Sequence, residues 1–303
     1  MSHPEWSVVI TTYQRPAQLA RTLQALGRQN YPKDRFEVIV VNDGGKLPLK
    51  PFVSDLCVRF IEQQHAGAAA GRNTGVAHAR GAWIAFTDDD CEPRPEWISA
   101  LSNAAEMHPG CLFGGKTICG LPGHLCSVAS QIIQDIVYDF YNSDPAKARF
   151  FASNNMALPA GAFRSVGGFD ARFRLAAEDR ELCERWRAAG RRMVYVPEAV
   201  VGHFRRLSLA GFIRQHFRYG RGAASFHRER IRNNLSLLSD HTGFHRNWRA
   251  WMFRPWCERP GLRALLLMLL LLIWQVANAV GFVYGWMFNK EALPVLEAAG
   301  RGL

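Results

Sequence analysis

The sequence predicts an α/β fold, a mainly parallel sheet flanked by helices, followed by a basic helical segment and one candidate transmembrane helix. Three observations predict it. Short runs rich in β-branched residues alternate with helical stretches, the order expected of strand–helix–strand units. Carboxylates fall where two of those strands end, at Asp43 and at Asp88-Asp89-Asp90, the edge of an open α/β sheet at which ligands bind. Near the C-terminus, the residues from Ala264 to Phe288 carry no charge.

The elements follow in order. Trp6 to Thr12 is a short apolar, β-branched run that reads as a buried strand. Pro16 to Arg28 reads as a helix with Leu19, Leu23 and Leu26 on one face. Phe36 to Val41 is a second strand, stopped by the turn signal Asn42-Asp43-Gly44-Gly45, and Val58 to Ile61 is a third. Gly67 to Ala79 reads as a loop entering a helix, and Trp83 to Thr87 as the fourth strand. Pro95 to Met107 reads as a helix with Pro95 near its first turn. The span from Gly110 to Asn155 shows less regular patterning, although Arg149 to Leu158 reads as a strand with a polar break. After the turn Gly167-Gly168-Phe169-Asp170, Ala177 to Ala189 reads as a helix opened by Glu178-Asp179. Acids there complement the helix dipole. Arg192 to Val196 is a last short strand, leading to His203.

Composition narrows the class. A hydrophobic content of 48% with 21% charged residues describes an ordinary folded protein. Seven scattered cysteines without a C-x-x-C pair argue for a reducing compartment rather than a disulfide framework. Cys119, His124 and Cys126 lack a second ligand pair at zinc-finger spacing, so the cysteines read as core or loop residues. The N-terminus has no basic region followed by an apolar run, so no signal peptide is expected. The net charge is +11, and the stretch from Arg205 to Arg263, with 13 Arg, no Lys and three acids, carries +10 of it. Such a stretch suits anionic lipid. No nucleic-acid-binding signature accompanies it, so nucleic acid is not an expected partner.

The chemistry centres on Asp88-Asp89-Asp90. Adjacent carboxylates at a strand end repel one another, and a hard divalent ion such as Mg2+ or Mn2+ relieves that repulsion through oxygen ligands. The same ion can clamp the phosphates of a nucleotide and stabilise a departing diphosphate. A solvated acidic turn is the alternative, and the surrounding motifs decide between the two.

Those motifs are S-V-V-I-T-T-Y-Q-R-P, V-V-N-D-G-G, A-G-R-N-T-G-V-A-H-A-R-G-A-W-I-A-F-T-D-D-D, G-G-F-D, A-E-D-R-E-L and V-Y-V-P-E-A-V-V-G-H, in that order. Together they resemble glycosyltransferase family 2, the inverting enzymes with a GT-A fold, over roughly residues 5–205. The resemblance implies a nucleotide-sugar donor, most commonly a UDP-sugar, and a divalent metal. It places Thr11 and Tyr13 against the nucleotide base, Asp43 as an acceptor of hydrogen bonds from the base, and Arg72 and Asn73 toward the donor phosphates. It gives Asp88 to the ribose or the support of the site and Asp90 to the metal, with Asp89 able to share either task. Asp179 matches the catalytic base and Glu178 a residue that orients it or the acceptor. His203 matches a histidine that completes the metal shell in some relatives, a role imidazole suits.

Gln215-His216-Phe217-Arg218-Tyr219 further resembles the Q-x-x-R-W motif of processive polysaccharide synthases, with Tyr in place of Trp. That likeness puts Gln215, Arg218, Tyr219 and Arg221 on the acceptor and diphosphate side. The synthases carry several membrane spans and this chain offers one candidate, so addition of a single sugar is the reading. An amphipathic basic helix on the membrane surface is the other reading of this segment.

As a helix, residues 264–288 reach about 37 Å against roughly 30 Å of bilayer hydrocarbon. Arg259 and Arg263 precede them, and Trp274, Tyr284 and Trp286 include candidates for an interfacial belt. The expected layout is a GT-A domain at 1–205, a basic membrane-proximal region at 206–263, a single-pass anchor at 264–288 and a short tail at 289–303. The enzyme domain is expected on the cytoplasmic face, where it would transfer one sugar to a lipid-linked or glycan acceptor. A polyprenyl-phosphate sugar transferase is the rival enzyme.

Overall fold

In the computed structural model, residues 4–45, 56–232 and 247–288 are described. Among them, eight strands form one sheet: β1 (Trp6–Thr12), β2 (Phe36–Asn42), β3 (Val58–Glu62), β4 (Trp83–Asp88), β5 (Cys91–Pro93), β6 (Leu112–Cys119), β7 (Asn155–Pro159) and β8 (Met193–His203), in the order β3-β2-β1-β4-β7-β6-β8-β5. The first four pair in parallel, with Thr12 opposite Asn42 and Thr11 opposite Asp88. Their carboxyl ends therefore share one edge of the sheet. Strand β7 runs antiparallel to β4 and to β6, while β6 and β8 are parallel. At the far edge β5 pairs antiparallel with β8, which sets Cys91 opposite His203. That register carries Asp90, one residue before Cys91, to the same place.

Helices cover both faces because the central strands are apolar on both. Leu19, Leu23 and Leu26 of α1 (Pro16–Gly27) and Trp97, Ile98 and Leu101 of α3 (Trp97–Met107) pack on one face with Val8, Ile10 and Val38. The other face receives Val76 of α2 (Ala68–Ala77), Phe163 of α5 (Ala160–Ser165), and Leu182 and Trp186 of α6 (Glu178–Ala188). Each large apolar side chain buried in this way contributes about 1.5–3 kcal/mol.

Several boundaries differ from the sequence expectations. Residues 110–155 are more regular than their pattern suggests, since they hold β6 and the 17-residue α4 (Leu125–Tyr141). The strand expected over Arg149–Leu158 begins only at Asn155. The Asn142 side chain takes the backbone of residues 149 and 150, accepting from both N–H groups and donating to the Phe150 carbonyl, so no neighbouring strand pairs there. Strand β8 continues past Pro197 to His203 because residues 197–199 drop out of register between Gly115 and Lys116. Helix α3 starts at Trp97, leaving Pro95 ahead of its first turn.

The basic region contributes α7 (Leu209–Arg232) and α8 (Trp248–Glu258), and the apolar run forms α9 (Leu262–Phe288). Residues 233–246 and the expected tail lie outside the described residues. Helix α9 is long and apolar enough to cross a membrane. One of its faces is covered by protein. Leu267, Leu270, Leu271 and Trp274 join Cys126, Ala129 and Ile133 of α4 and Phe212 of α7 in a third apolar cluster. Leu265, Leu269, Leu272, Val276 and Val280, on the other face, are exposed.

Helices α7 and α9 meet through small residues. A Cβ on Gly220 would collide with the Asn278 backbone, one on Gly281 with the Phe217 backbone, and Gly285 sits against Arg221 and Ala224. Gly281 and Gly285 are four residues apart, the spacing that lets helix backbones approach closely. Gly281→Val should therefore push α9 away from α7 and destabilise the protein by about 1–3 kcal/mol, the usual cost of overpacking. Gly123→Ala, at a position with nothing near its added Cβ, serves as the control. Thermal unfolding of both variants in detergent checks this.

Candidate active site

The base-side end of the site is built at the edge shared by β1, β2 and β3. Gln14, between β1 and α1, adopts a left-handed backbone (φ 54°), and beside it the Tyr13 ring lies over His65 at 4.5 Å. A cleft of about 540 Å3 is lined by Tyr13, Asn42, Glu62, Gln63, Gln64 and His65. Asp43 does not line it. Its Oδ1 accepts from Gln63 Nε2 at 2.6 Å and Ala66 N at 2.8 Å, and its Oδ2 from Gly67 N at 2.9 Å, with His65 Nδ1 at 3.0 Å. Three donors thus engage the carboxylate, and His65 Nδ1 also lies 3.0 Å from the Asp43 backbone O. Through these contacts Asp43 holds residues 63–67 beside the cleft. Thr11, at the end of β1, packs toward Gly71 of α2, where the missing side chain leaves it room.

The three aspartates diverge. Asp88 faces a large cavity, where its Oδ1 takes a 2.9 Å hydrogen bond from Arg72. Asp89 turns back into the fold. It accepts from Thr12 Oγ1 at 2.7 Å and pairs with Arg15 at 3.2 Å, and burial pushes its carboxyl up to about 6 despite both partners. Asp89 thereby ties the end of β4 to the start of α1. Asp90 is also buried, but His203 Nε2 lies 3.3 Å from its Oδ1 and Arg15 3.4 Å from its Oδ2. Burial alone would raise the Asp90 carboxyl; the His203 hydrogen bond and the charges of His203, Arg205 and Arg15 hold it low instead.

Asp90, Cys91 and His203 place ligand-type atoms within 4.8 Å of one another. A carboxylate and an imidazole fit Mn2+ or Mg2+. The Cys91 thiol belongs to the core, because burial pushes it far above its usual range.

Glu178 and Asp179 open α6 after Ala177, whose backbone is left-handed at φ 78°. A non-glycine residue held in that region costs about 1–3 kcal/mol and marks a constrained site. Arg72 donates to Glu178 Oε1 at 3.0 Å as well as to Asp88, so one buried guanidinium joins two acids more than 80 residues apart in sequence. Both its terminal amino groups are held by carboxylates, and Arg72 also lines the large cavity. Asn73 is spent on the G-G-F-D turn, donating to Phe169 O at 2.7 Å and accepting from Phe169 N at 2.9 Å. It supports the site from behind and makes no contact at the cavity. Asp179 has its carboxyl raised to about 7, first by burial and then by Glu178, against the charge of Arg72 and hydrogen bonds from Arg180 N and Ser153 N.

Asp88, Glu178, Asp179 and His203 line the same cavity, of about 1150 Å3. Gln215, Arg218 and Tyr219 line its opposite side. Arg221 is absent from that lining, and its guanidinium lies 5.2 Å over the Tyr284 ring of α9. Three residues beyond the sequence expectations join the site. Arg15 bridges Asp89 and Asp90. Arg205 lines the cavity, and its guanidinium, though burial would lower its pKa, is held charged by Tyr219, Asp90 and Asp88. His216 is 1% exposed, and burial followed by the charge of Arg205 lowers its imidazole to about 3, so it is neutral.

With this geometry the chain was compared with known proteins. Residues 7–166 match the family described as Glycosyl transferase family 2, and residues 121–290 match Glycosyl transferase family group 2. The chain belongs to glycosyltransferase family 2. It is 28% identical over 251 residues to a pre-mycofactocin glycosyltransferase of Mycobacterium tuberculosis, covering 74% of this chain and 47% of that protein. It is 30% identical over 221 residues to a validoxylamine A glucosyltransferase of Streptomyces hygroscopicus subsp. limoneus, covering 62% and 49%. The chain thus spans about half the length of these curated relatives. Among solved structures it resembles a mannosyltransferase of Pyrobaculum calidifontis in complex with GDP-Man and Mn2+ (TM-score 0.68, 17% identity, 96% of this chain and 89% of that one). It also resembles GalNAc-T7 with UDP, GalNAc and Mn2+ (TM-score 0.53, 16% identity, 74% and 51%). These structural likenesses establish the GT-A-like fold.

Proposed function

We propose that this chain is an inverting glycosyltransferase that moves one sugar from a nucleotide-diphosphate sugar, a UDP-sugar in the first instance, to a lipid-linked or glycan acceptor. The observation that carries the reading is that Asp88 and Asp179 line one cavity with Arg205 and the Gln215–Tyr219 segment. The nucleotide base lies in the Tyr13–His65 cleft, where an aromatic face can stack on it. The diphosphate lies toward Asp88, with Arg205 supplying fixed positive charge as the leaving group forms.

Asp90 and His203, with Asp88 nearby, would hold a divalent Mn2+ or Mg2+. Such an ion supplies positive charge to the departing diphosphate. Asp179 takes the proton from an acceptor hydroxyl as that oxygen attacks C1 from the face opposite the nucleotide. The C1–oxygen bond to phosphate then breaks and the anomeric centre inverts. Glu178, fixed by Arg72, holds Asp179 in place and raises its basicity.

The rival, a polyprenyl-phosphate sugar transferase, has an acceptor that is already anionic and needs no such base. Asp179→Asn therefore tests both. We expect turnover per folded molecule to fall on the order of 10²-fold or more, with nucleotide affinity retained. Wild-type turnover should rise with pH through an apparent pKa near 7. Stability should run the other way. A carboxyl whose folded pKa exceeds its unfolded value of 3.8 binds more protons when folded, so its contribution is lost as pH rises between the two values. At pH 8 the Asn variant should melt no lower than wild type. Near-normal turnover with a lower melting temperature would make Asp179 a helix cap.

Turnover should vanish with EDTA and return with Mn2+ or Mg2+. Asp90→Ala should weaken nucleotide-diphosphate binding measured with metal present. Full turnover of a metal-free preparation would contradict the metal site.

The exposed apolar face of α9 and the arginines of α7 and α8 support a cytoplasmic-face location at a membrane, with α9 as the proposed anchor. Replacing Leu265, Leu269, Leu272 and Val276 with Gln changes four exposed side chains. It should move the protein from the washed membrane fraction to the soluble one while leaving it folded by circular dichroism. Retention of the folded variant on carbonate-washed membranes would show that another segment is the anchor.

A further inference from the structure

The cavity that holds Asp88 and Asp179 does not end at the acceptor segment. It continues between α7 and α9, and its lining changes character along both helices. The two run side by side in the same direction, with His216 near Trp274, Gly220 against Asn278, and Arg228 donating to Gly285 O at 3.0 Å. On α7 the lining passes from Gln215, His216, Arg218 and Tyr219 to Ala223, His227 and Ile231. On α9 it passes from Gln275 and Asn278 to Phe282, Val283 and Met287. Polar ends therefore lie beside polar, and apolar beside apolar.

Unpaired polar atoms single out the polar stretch. Among the described residues, Ser130 Oγ, Gln215 Oε1 and both ring nitrogens of His216 are buried without a hydrogen-bond partner, and all three residues line this cavity. Each such group costs about 1–3 kcal/mol when left unmade. Coming from α4 and α7 into one cavity, they are groups that a hydroxyl-bearing ligand can relieve. The stretch beyond is mainly apolar, with His227 its polar member on α7, and one of its walls is the helix whose outer face is itself apolar and exposed. The chamber thus connects a carboxylate-lined pole with the helix that meets the lipid.

We infer that the acceptor is an amphiphile. Its hydroxylated head lies among Ser130, Gln215 and His216, one step from Asp179, and its hydrocarbon chain lies between the C-terminal halves of α7 and α9. This rests on the transferase reading above and names the acceptor class that reading leaves broad. A soluble glycan, by contrast, would leave the apolar stretch unfilled.

The test is binding of methyl, hexyl and decyl β-glucoside, each below its micelle concentration, to the full chain held in amphipol, measured by calorimetry. Burial of hydrocarbon contributes up to about 0.8 kcal/mol per methylene, so affinity should climb at least tenfold from methyl to decyl. Ala223→Trp fills the apolar stretch and should flatten that climb. Ala279→Trp does the same from a position that is exposed on α9, so its side chain can enter the chamber without displacing packed neighbours. Both variants should bind UDP or GDP with Mn2+ as the wild type does. Equal affinity for the three glucosides overturns the inference, as does a chain-length dependence that survives in Ala279→Trp, which would place the chain on the outer face of α9. Failure of the wild type to bind either nucleotide with Mn2+ would instead overturn the transferase reading, and the chain-length dependence would still stand on its own.

Discussion

Arg72 is the interaction on which the site depends. It sits in the first half of α2 and reaches Asp88 at the end of β4 and Glu178 at the start of α6. Strand β4 belongs to the parallel half of the sheet, and α6 brings Asp179 to the cavity. One guanidinium therefore fixes the distance between the two. Its burial is costly, and two carboxylates with good geometry offset that cost. Loss of the arginine would leave two acids beside Asp179 without their cation, a change on the order of 3–5 kcal/mol for a broken buried pair. It would also raise the Asp179 carboxyl further, because Arg72 is the positive charge that now opposes that rise. Stability and basicity are thus set by the same side chain.

The rest of the pole is arranged to keep like charges apart. Three consecutive aspartates would repel if they faced one way, and the chain separates them by direction. Asp88 points to Arg72, Asp89 to Thr12 and Arg15, and Asp90 to His203. The end of β4 achieves this because β5 begins only three residues later and pairs with β8. That reversal swings Asp90 across to the histidine. The metal-type cluster is therefore a consequence of sheet topology as much as of the D-x-D pattern.

Much of the donor half was legible in the sequence because it is built from local signals. The β-branched runs of β1, β2 and β4 are nearly continuous, and their ends differ from the expected ones by at most one residue. Helix α6 was readable from its acidic first turn. What escaped depends on partners distant in the chain. Nothing in N-D-G-G reveals that Asp43 is engaged by residues 63–67, nor that Asn73 is occupied by Phe169. The Asp-triplet could not be assigned residue by residue, because direction is set by β5 and β8. Arg15 and Arg205 stood beside quoted motifs, at T-T-Y-Q-R and two residues after His203, and a search for cations flanking the acids would have found them. Helix α4 was missed because its apolar positions serve both the third cluster and the cavity wall, which blurs a one-sided stripe.

Hydropathy treats α9 as a uniform apolar rod, and the structure divides it. Small residues at Gly281 and Gly285 let α7 approach along one line, while Leu265 to Val280 present branched side chains to the opposite side. Bilayer hydrocarbon does not by itself drive two helices together, so a seam of glycines is what contact through backbone requires. The polar members Gln275 and Asn278, unwelcome in a lipid-facing helix, fall on the cavity side. Their placement makes α9 a wall of the large cavity. A helix that only tethered the enzyme would need neither the glycines nor the amides, and one that was only core would not expose its leucines. Both demands on one helix explain why its sequence mixes a run of leucines with small and polar residues in its second half.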